Sequence, residues 1–463
     1  TIVLRSGVVS RNHGEVRHVG NAWIYTDVGS TNGTYVNGRK INSSYGESES
    51  VMLSDGDLLR IDGPNLSNPD SRGVVMLFMT DCPQNVRWKF HQLQPNKTLM
   101  IGRDPSVCSI LLSSMHVSAV HAAIAYRNGN YYLDDCGSSN GTWVGNQRIT
   151  GEYMLSEKSS FALCDTRFIF TGGYLIYPVR MNTEVRSVVR GSEPYPMPQH
   201  RADNVMLRAH IKSKQVSNKN GHGYIELLHD VKVELKEASL VALLGGSGAG
   251  KTTLMNCLNG SKRDGVTGDV SFNNEDLYAN YERLKHMIGN VPQQNVVHPD
   301  LRVDRELYYA ANIRLPSDIR PKELHARVDK TIKLLGLEHC RKSPIRTLSG
   351  GELKRVNIGI ELVANRNLLC LDEPDAGLDP ETKASLTKLL ADLSHNEKKT
   401  IIVIIHDVAN IDLFDQVIFM TKMDNCGRLA FQGSPEDARK YFGVSSLEQA
   451  YDVLSKDPSK YVK

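Results

Sequence analysis

Apolar and polar positions alternate differently in the first 175 residues than in the rest of the chain. Short apolar runs fill this first part, among them Gly73–Met79, Ala122–Tyr126 and Arg167–Thr171. Turn signals such as Arg127-Asn128-Gly129 separate them. This pattern predicts short strands and is typical of all-β domains.

The second part alternates strongly apolar runs with helical periodicity. Ser239–Leu244, Leu368–Leu371 and Thr400–Ile405 are almost wholly apolar, and a polar loop follows each. Such runs are typical of parallel strands buried on both faces, so this part is predicted to be an α/β domain. Between the two parts, residues 191–198 (GSEPYPMP) are proline-rich and predict an extended linker.

Two motifs occur twice in the first part. Ser10–His13 (SRNH) resembles Ser118–His121 (SAVH), and Gly29–Val36 (GSTNGTYV) resembles Gly137–Val144 (GSSNGTWV). Both pairs are 108 positions apart. A constant offset indicates a duplicated domain, and we place the two copies at residues 1–80 and 81–175.

Composition narrows the functional classes. A chain of 463 residues predicts about three domains. The net charge of +3, without a basic stripe, does not indicate a nucleic-acid partner. The eight cysteines include no Cys-x-x-Cys pair, so no zinc site is predicted from the sequence, and they fit a reducing compartment. We see no signal peptide and no apolar run of the ~18–20 residues that span a membrane.

A phosphate-binding loop follows the first buried strand of the second part. Leu240–Met255 reads as strand, glycine-rich loop and helix, and fits G-x-x-x-x-G-K-[ST]. Backbone N–H groups of the loop and the helix N-terminus are predicted to surround the phosphates of ATP, Lys251 to reach the β- and γ-phosphates, and Thr252 to bind Mg²⁺. The predicted nucleotide-binding residues here are Gly245, Gly246, Ser247, Gly248, Ala249, Gly250, Lys251, Thr252 and Thr253.

A second acidic element lies at Asn367–Pro374 (NLLCLDEP), where an apolar strand ends in two carboxylates. A carboxylate at the end of a buried strand beside a phosphate loop can hold Mg²⁺, and a second can deprotonate the attacking water. We assign these roles to Asp372 and Glu373.

The segment Thr347–Leu362 (TLSGGELKRVNIGIEL) identifies the class. Ser349, Gly350 and Gly351 open an amphipathic helix whose free N–H groups form a second anion site. The order of motifs resembles that of ABC ATPases, in which LSGGE is the signature motif.

That resemblance implies further site residues. Gln293, or its neighbour Gln294, matches the glutamine loop and would also bind the metal, and His406 matches the switch histidine at the γ-phosphate. Asp379 would lie at the seam of a dimer in which two chains enclose ATP. Two positions depart from the family: Val216 stands where an aromatic residue often stacks on adenine, and Asp375 stands where threonine or serine is usual.

The resemblance covers about residues 204–445 and is nearest to ABC-2 or White-like half-transporters. The change in composition after residue 175 predicts that residues 176–203 are a linker. The resemblance implies that residues 446–463 lead to a membrane domain beyond this chain. The chain would then act at the cytoplasmic side of the cell membrane.

The duplicated domain resembles the forkhead-associated (FHA) domain, a β-sandwich that binds phosphothreonine. LMIGRD, SAVH and GSSNGTWV of the second copy occur in the order of the FHA motif. Arginine suits bidentate binding of phosphate, so the resemblance assigns Arg103 to the phosphate and Ser118, Ser139 and Asn140 to the phosphopeptide. In the first copy the matching residues are Ser10, Arg11, Thr31 and Asn32. The arginine equivalent to Arg103 would precede residue 1, so we expect the first copy to be truncated.

The predicted fold is therefore multidomain: two all-β FHA sandwiches, then an α/β P-loop ABC ATPase domain with an α-helical subdomain. The favoured interpretation is a transporter ATPase regulated by a phosphothreonine-containing protein or a Ser/Thr kinase. Two alternatives remain, a soluble ABC ATPase switch and a phosphopeptide adaptor without a membrane domain.

Overall fold

The computed structural model describes residues 2–4, 6, 9–19, 22–36, 39–41, 50–54, 57–61, 74–79, 86–171, 173–180, 205–218 and 223–462. The chain divides into two compact units. One comprises Thr1–Leu112 and Val120–Tyr195, and the other comprises Ser113–Ala119 and Pro196–Lys463. The proline-rich segment 191–198 lies outside the described residues.

The first repeat forms two small antiparallel sheets. Its strands are β1 (Gly14–Val19), β2 (Ala22–Asp27), β3 (Thr34–Val36), β4 (Arg39–Ile41), β5 (Ser50–Leu53), β6 (Leu58–Ile61) and β7 (Val74–Leu77). The sheet orders are β1-β2-β5 and β4-β3-β6-β7. Tyr25, Val36, Ile41, Leu53 and Leu59 form the core. The last strand confirms most of the run predicted at Gly73–Met79.

The second repeat forms two larger sheets. Its strands are β8 (Val86–Gln92), β9 (Leu99–Gly102), β10 (Ile110–Leu111), β11 (Ala122–Arg127), β12 (Asn130–Asp135), β13 (Thr142–Val144), β14 (Gln147–Arg148), β15 (Tyr153–Leu155), β16 (Ser160–Leu163), β17 (Thr166–Thr171) and β18 (Tyr174–Arg180). The orders are β10-β9-β11-β12-β15 and β14-β13-β16-β17-β18-β8. The predicted Asn128-Gly129 turn joins β11 to β12, with both residues at positive φ.

The predicted linker boundary at residue 176 is wrong. Strand β18 runs to Arg180 and pairs with β17 on one side and β8 on the other. The strand includes Pro178, a residue that is rare inside sheets. Ile176 is fully buried here, so the strand belongs to the second sandwich.

The second unit is an α/β domain. Its strands are β19 (Val205–Ser217), β20 (Tyr224–Lys236), β21 (Leu240–Gly245), β22 (Val266–Phe272), β23 (Glu275–Asp276), β24 (Ile288–Val291), β25 (Leu368–Asp372), β26 (Thr400–Ile404), β27 (Gln416–Met423) and β28 (Cys426–Gly433). Its helices are α1 (Lys251–Leu258), α2 (Tyr281–Leu284), α3 (Val303–Arg314), α4 (Pro321–Leu334), α5 (Gly350–Val363), α6 (Pro380–His395), α7 (Pro435–Phe442) and α8 (Glu448–Lys456).

All ten strands join one sheet in the order β23-β22-β19-β20-β28-β27-β21-β26-β25-β24. The strands predicted from apolar runs, β21, β25 and β26, are parallel neighbours near one end. Every residue of β21 is buried. Leu240, Ala242 and Leu244 pack into one apolar core, and Val241 and Leu243 into the core on the other face, which confirms a strand covered on both sides.

The segment 446–463 is not a simple tail. Helix α8 occupies Glu448–Lys456, and Leu447, Ala450, Leu454 and Tyr461 are buried in the core that also contains Phe442 of α7. These residues therefore form part of the α/β unit. Within the described residues, no helix has the length and apolar character needed to cross a bilayer.

Candidate functional site

Four parallel strands bring the predicted ATP-site residues to one edge of the sheet. Strand β21 ends at Gly245, where the phosphate loop begins, and β25 ends at Asp372. Gln293 follows β24 by two residues, and His406 follows β26 by two residues. Because β21, β26, β25 and β24 are parallel and consecutive in the sheet, their carboxyl ends share one edge, the usual place for a ligand site in such sheets.

Two glycines of the phosphate loop, Gly245 and Gly250, are required by conformation and close packing. Gly245 has φ 146°, and a Cβ there would lie 2.3 Å from the carbonyl oxygen of Met420. Gly250 has φ 86°, and a Cβ there would lie 2.7 Å from the Leu228 side chain. Gly250 also caps α1 without a side-chain hydrogen bond, so the N–H groups of the first helical turn remain for a phosphate.

Lys251 is folded onto its own loop. Its Nζ donates to the carbonyl oxygens of Gly245 at 2.8 Å and Gly246 at 3.0 Å. Burial lowers the pKa of Lys251, and the nearby carboxylates of Glu373 and Asp372 oppose that shift. The Lys251 ammonium group therefore has to leave these two carbonyl oxygens, through a rotation of its side chain, to contact a phosphate.

Thr252 and Asp372 face each other across the site. The Thr252 hydroxyl donates to Asp372 Oδ1 at 3.5 Å. Burial raises the pKa of Asp372, and the Thr252 hydrogen bond and the Lys251 charge partly offset this. A hydroxyl and a carboxylate are the hard oxygen ligands that Mg²⁺ prefers, so these residues fit the metal that the motif implies.

Glu373 is held at both carboxylate oxygens. Gln293 Nε2 donates to Oε2 at 2.7 Å, and His406 Nε2 lies 2.8 Å from Oε1. Its backbone has φ 46°, a conformation that costs non-glycine residues energy and that occurs preferentially at functional sites. The structure thus brings together three predicted catalytic residues. Of the two glutamines that the sequence offered, Gln293 and Gln294, it is Gln293 whose side chain donates to Glu373.

The signature segment begins helix α5 with a capping box. Ser349 is the N-cap; its hydroxyl accepts from the Glu352 N–H and its N–H donates to the Glu352 carboxylate at 2.8 Å. The Ser349 hydroxyl also donates to Glu352 Oε2 at 2.7 Å. Hydrogen bonds from Ser349, then from His339, lower the pKa of Glu352 to about 2.

Helix α5 is tied directly to the glutamine loop. Lys354 Nζ donates to the Gln293 carbonyl oxygen at 2.9 Å, and Asn357 Oδ1 accepts from the Val296 N–H at 2.8 Å. Burial lowers the pKa of Lys354, and the charge of Asp375 opposes that shift. The unusual Asp375 therefore has an electrostatic partner on the signature helix.

Asp379 caps helix α6. Its carboxylate accepts from the Thr382 N–H at 3.0 Å and from the Thr382 hydroxyl at 2.6 Å. These hydrogen bonds, that of the hydroxyl first, lower the pKa of Asp379. The exposed side chain thus stabilises a helix end within its own chain, a role that the sequence did not predict.

The residues predicted to bind a phosphopeptide lie in loops of the β-sandwiches. Arg103 directly follows β9, the buried Ser118 lies between β10 and β11, and Ser139 and Asn140 lie between β12 and β13. In the first repeat the two predicted loops meet: Thr31 N–H donates to Ser10 Oγ at 3.0 Å. Arg11 is exposed and Asn32 is half-buried beside them.

A partly buried hydrogen-bond network that the sequence analysis missed supports these loops. In the second repeat Asp135 accepts from the Ser138 N–H at 2.8 Å and the Ser138 hydroxyl at 2.6 Å, and Ser138 Oγ accepts from the Gly141 N–H at 2.9 Å. Burial by itself would raise the pKa of Asp135, but the hydrogen bonds, led by that from the Ser138 hydroxyl, lower it. His121 is fully buried, with Nε2 3.1 Å from the Gly141 carbonyl oxygen.

The first repeat has the same network. Asp27 accepts from the Ser30 N–H at 2.8 Å and the Ser30 hydroxyl at 2.7 Å, and Ser30 Oγ accepts from the Gly33 N–H at 3.0 Å. His13 Nε2 lies 3.4 Å from the Gly33 carbonyl oxygen. Each of these residues precedes its counterpart in the second repeat by 108 positions. The two repeats therefore share these hydrogen bonds as well as their sequence motifs.

Comparisons with known proteins agree with both parts of this architecture. Residues 228–376 match the family model described as ABC transporter, and residues 1–62 and 99–164 match the model of the FHA domain. The chain therefore combines an ATP-binding domain of the ABC transporter class, whose members are ATPases, with two FHA domains.

Among curated proteins, the chain is 31% identical to ABC transporter G family member 26 of Arabidopsis thaliana, over 70% of this chain and 46% of that protein. It is 26% identical to an ABC transporter ATP-binding/permease protein of Mycobacterium tuberculosis, over 79% of this chain and 39% of that protein. The chain thus spans less than half the length of these two relatives. A solved structure, cbiO1 of Clostridium perfringens, part of an ABC transporter complex, is 29% identical over 54% of this chain and 96% of its own, with a TM-score of 0.45.

Proposed function

We propose that this chain binds and hydrolyses ATP as the nucleotide-binding part of an ABC transporter. The observation that carries the proposal is the placement of Glu373, held by Gln293 and His406 at the sheet edge where the phosphate loop begins. A carboxylate with both oxygens oriented in this way can accept a proton from a water molecule that attacks the γ-phosphate.

The reaction follows from the side chains. Lys251 leaves the carbonyls of Gly245 and Gly246 and binds the phosphates, while His406 and Gln293 keep the Glu373 carboxylate in place. Water attacks the γ-phosphorus, its proton passes to Glu373, and ADP leaves as the bond to the γ-phosphoryl group breaks. Thr252, Asp372 and the Gln293 amide oxygen would hold Mg²⁺, which neutralises phosphate charge when bound.

The test is the isosteric substitution Glu373→Gln in the full chain. We expect ATP binding to be retained and the turnover rate to fall by about 10²–10⁴-fold, the usual contribution of a general base. Glu381→Gln, at an exposed position of α6, is the matched control and should leave turnover unchanged. Wild-type turnover in Glu373→Gln would reject Glu373 as the base.

Two copies of the chain are proposed to enclose ATP between the phosphate loop of one and the Ser349 helix end of the other. The exposed start of α5 supports this, because the N–H groups of Gly350 and Gly351 in its first turn can bind an anion, whereas the capping box uses those of Ser349 and Glu352. Glu373→Gln with ATP should shift from monomer to dimer in light scattering, and Ser349→Arg should prevent the shift. A monomer under all conditions would contradict the pairing.

We further propose that the cassette drives transport through a membrane domain, on the cytoplasmic side of the membrane. The support is the match to transporter proteins more than twice as long as the matched region. Fractionation of the native full-length protein tests it: recovery in the membrane pellet, released only by detergent, is the expected result. A protein that stays in solution without detergent would favour the soluble ATPase switch instead.

The FHA domains are proposed to bind phosphothreonine peptides and so regulate the ATPase. In the second copy, Arg103, Ser118, Ser139 and Asn140 would contact the peptide; in the first, Ser10, Arg11, Thr31 and Asn32. The replacement of Arg103 and Ser118 together by alanine should abolish binding of a phosphothreonine peptide and leave basal ATPase unchanged. Arg127→Ala, at the exposed β-turn, is the control, and equal affinity of both variants would refute the assignment.

A further inference from the structure

Three side chains with metal-binding donor atoms converge beside the signature helix. His339 Nε2, Cys340 Sγ and a carboxylate oxygen of Glu352 all lie within 4.8 Å of one another. His339 Nε2 is 2.6 Å from Glu352 Oε1. None of the residues proposed to carry out hydrolysis belongs to this group, and nothing in the proposed hydrolysis uses His339 or Cys340.

We propose that His339, Cys340 and Glu352 form a binding site for a divalent transition-metal ion of the Zn²⁺ type. Imidazole nitrogen, thiolate sulfur and carboxylate oxygen are the three ligand classes that Zn²⁺ uses, whereas Mg²⁺ and Ca²⁺ take oxygen ligands. The site is therefore distinct in chemistry from the Thr252 and Asp372 pair at the nucleotide.

The geometry needs only a small adjustment. With metal–ligand bonds of about 2.0–2.3 Å, the donors of a tetrahedral zinc site lie roughly 3.3–3.7 Å apart. The His339 side chain is 66% exposed and can turn to open this space between itself and Glu352. Cys340 is buried and fixes the inner side of the site. Three protein ligands leave a fourth position for water.

Charge also favours a cation at this site. The Cys340 sulfur and the Glu352 carboxylate belong to one group of donor atoms, and a divalent cation compensates the negative charges of a thiolate and a carboxylate. Binding of the metal replaces the thiol proton of Cys340, which now donates to the Leu337 carbonyl oxygen at 3.5 Å, and releases that proton to solvent.

The position of the site connects it to the signature motif. Glu352 Oε1 faces His339, while Oε2 accepts from the Ser349 hydroxyl at 2.7 Å. An ion at Oε1 would thus share its carboxylate with the serine that we place at the nucleotide of a second chain. Sequence analysis did not find the site because His339 and Cys340 lie in a turn, thirteen and twelve positions before Glu352 of helix α5.

Co²⁺ is the probe, since a Co²⁺–thiolate bond absorbs in the near ultraviolet and reports sulfur ligation directly. Titration of the full chain should give this band with one ion per chain, and Zn²⁺ should remove it. Loss of even an indirect supporting residue commonly weakens metal sites 10–100-fold. Cys340→Ser should therefore abolish the band, and His339→Ala should weaken Co²⁺ binding by about 100-fold.

Two control variants test whether the Co²⁺–thiolate band arises from this site and not from another histidine or cysteine. His298→Ala removes a histidine that also lies beside a glutamate, Glu306, but without a thiol in the described contacts. Cys136→Ser removes an exposed cysteine elsewhere. Both should keep the band. His339 is exposed, so its replacement leaves the fold intact even if Cys340→Ser destabilises it. No band in the wild-type chain, or unchanged affinity in His339→Ala, would overturn the proposal; ATPase activity plays no part in the readout.

Discussion

The second glycine of the signature motif is predicted to be required by packing against helix α6. A Cβ at Gly351 would lie 2.6 Å from Thr382 Cγ2, well inside van der Waals contact. The methyl group cannot rotate away at little cost, because the Thr382 hydroxyl is held by Asp379 at 2.6 Å. Gly351→Ala should therefore force α5 and α6 apart or break the α6 cap.

The expected energies follow from two opposing effects. Overpacking by one methyl group typically costs about 1–3 kcal/mol. Alanine in place of glycine favours a helix by up to about 1 kcal/mol. Gly351→Ala should therefore lower the free energy of unfolding by roughly 0–2 kcal/mol. Thr382→Ser removes the methyl group and keeps the hydroxyl for Asp379, so in that background Gly351→Ala should be neutral or stabilising.

A double-mutant cycle measures this contact directly. Denaturant unfolding of the wild type, both single variants and the double variant should give a coupling of about 1–3 kcal/mol. Gly350→Ala is the control, because its Cβ would meet the flexible end of Leu378 at 3.3 Å and not Thr382. Additive effects of Gly351→Ala and Thr382→Ser would refute the packing explanation.

Three further predictions concern single side chains. Burial lowers the pKa of Lys399 to about 8, so the charged lysine destabilises the folded state at pH values where it is charged in both the folded and the unfolded chain. Lys399→Met should therefore raise the free energy of unfolding at pH 7 by up to about 3 kcal/mol, and this gain should disappear between about pH 8 and 10.5. Lys398→Met, at an exposed position, should show neither effect. Asp135→Ala should speed amide hydrogen exchange at Ser138, at a cost of about 1–3 kcal/mol, and exposed Asp134→Ala should not. Asp379→Ala should speed exchange at Thr382 by an amount equivalent to about 1 kcal/mol, and an unchanged rate would contradict its capping role.

Several elements could be predicted because one physical requirement determined each of them. Wholly apolar runs predicted β21, β25 and β26, and the structure buries them on both faces. The phosphate-loop pattern predicted a strand, loop and helix, and Gly245 and Gly250 adopt conformations and contacts that exclude a side chain. Asn128-Gly129 predicted a tight turn and forms one.

Other features depended on contacts that sequence alone does not reveal. The end of β18 was missed because the strand is held in its sheet by pairing with β8, which lies almost ninety positions earlier in the chain. Asp135 and Ser138 resemble ordinary turn residues until their mutual hydrogen bonds are seen. The family resemblance predicted that Asp379 lies at a dimer contact, and the structure shows its carboxylate bound to Thr382, three residues away. Such short polar contacts depend on side-chain direction, which local sequence patterns leave open.

The paired loop networks have a consequence for how the two FHA copies can diverge. Asp27 with Ser30, and Asp135 with Ser138, stabilise the loop from its inner side, whereas the neighbouring Thr31 and Ser139 are exposed. The outward position has already changed between the copies without any alteration of the inner scaffold. The exposed loop position can therefore differ between the copies while the inner hydrogen bonds of the loop stay the same.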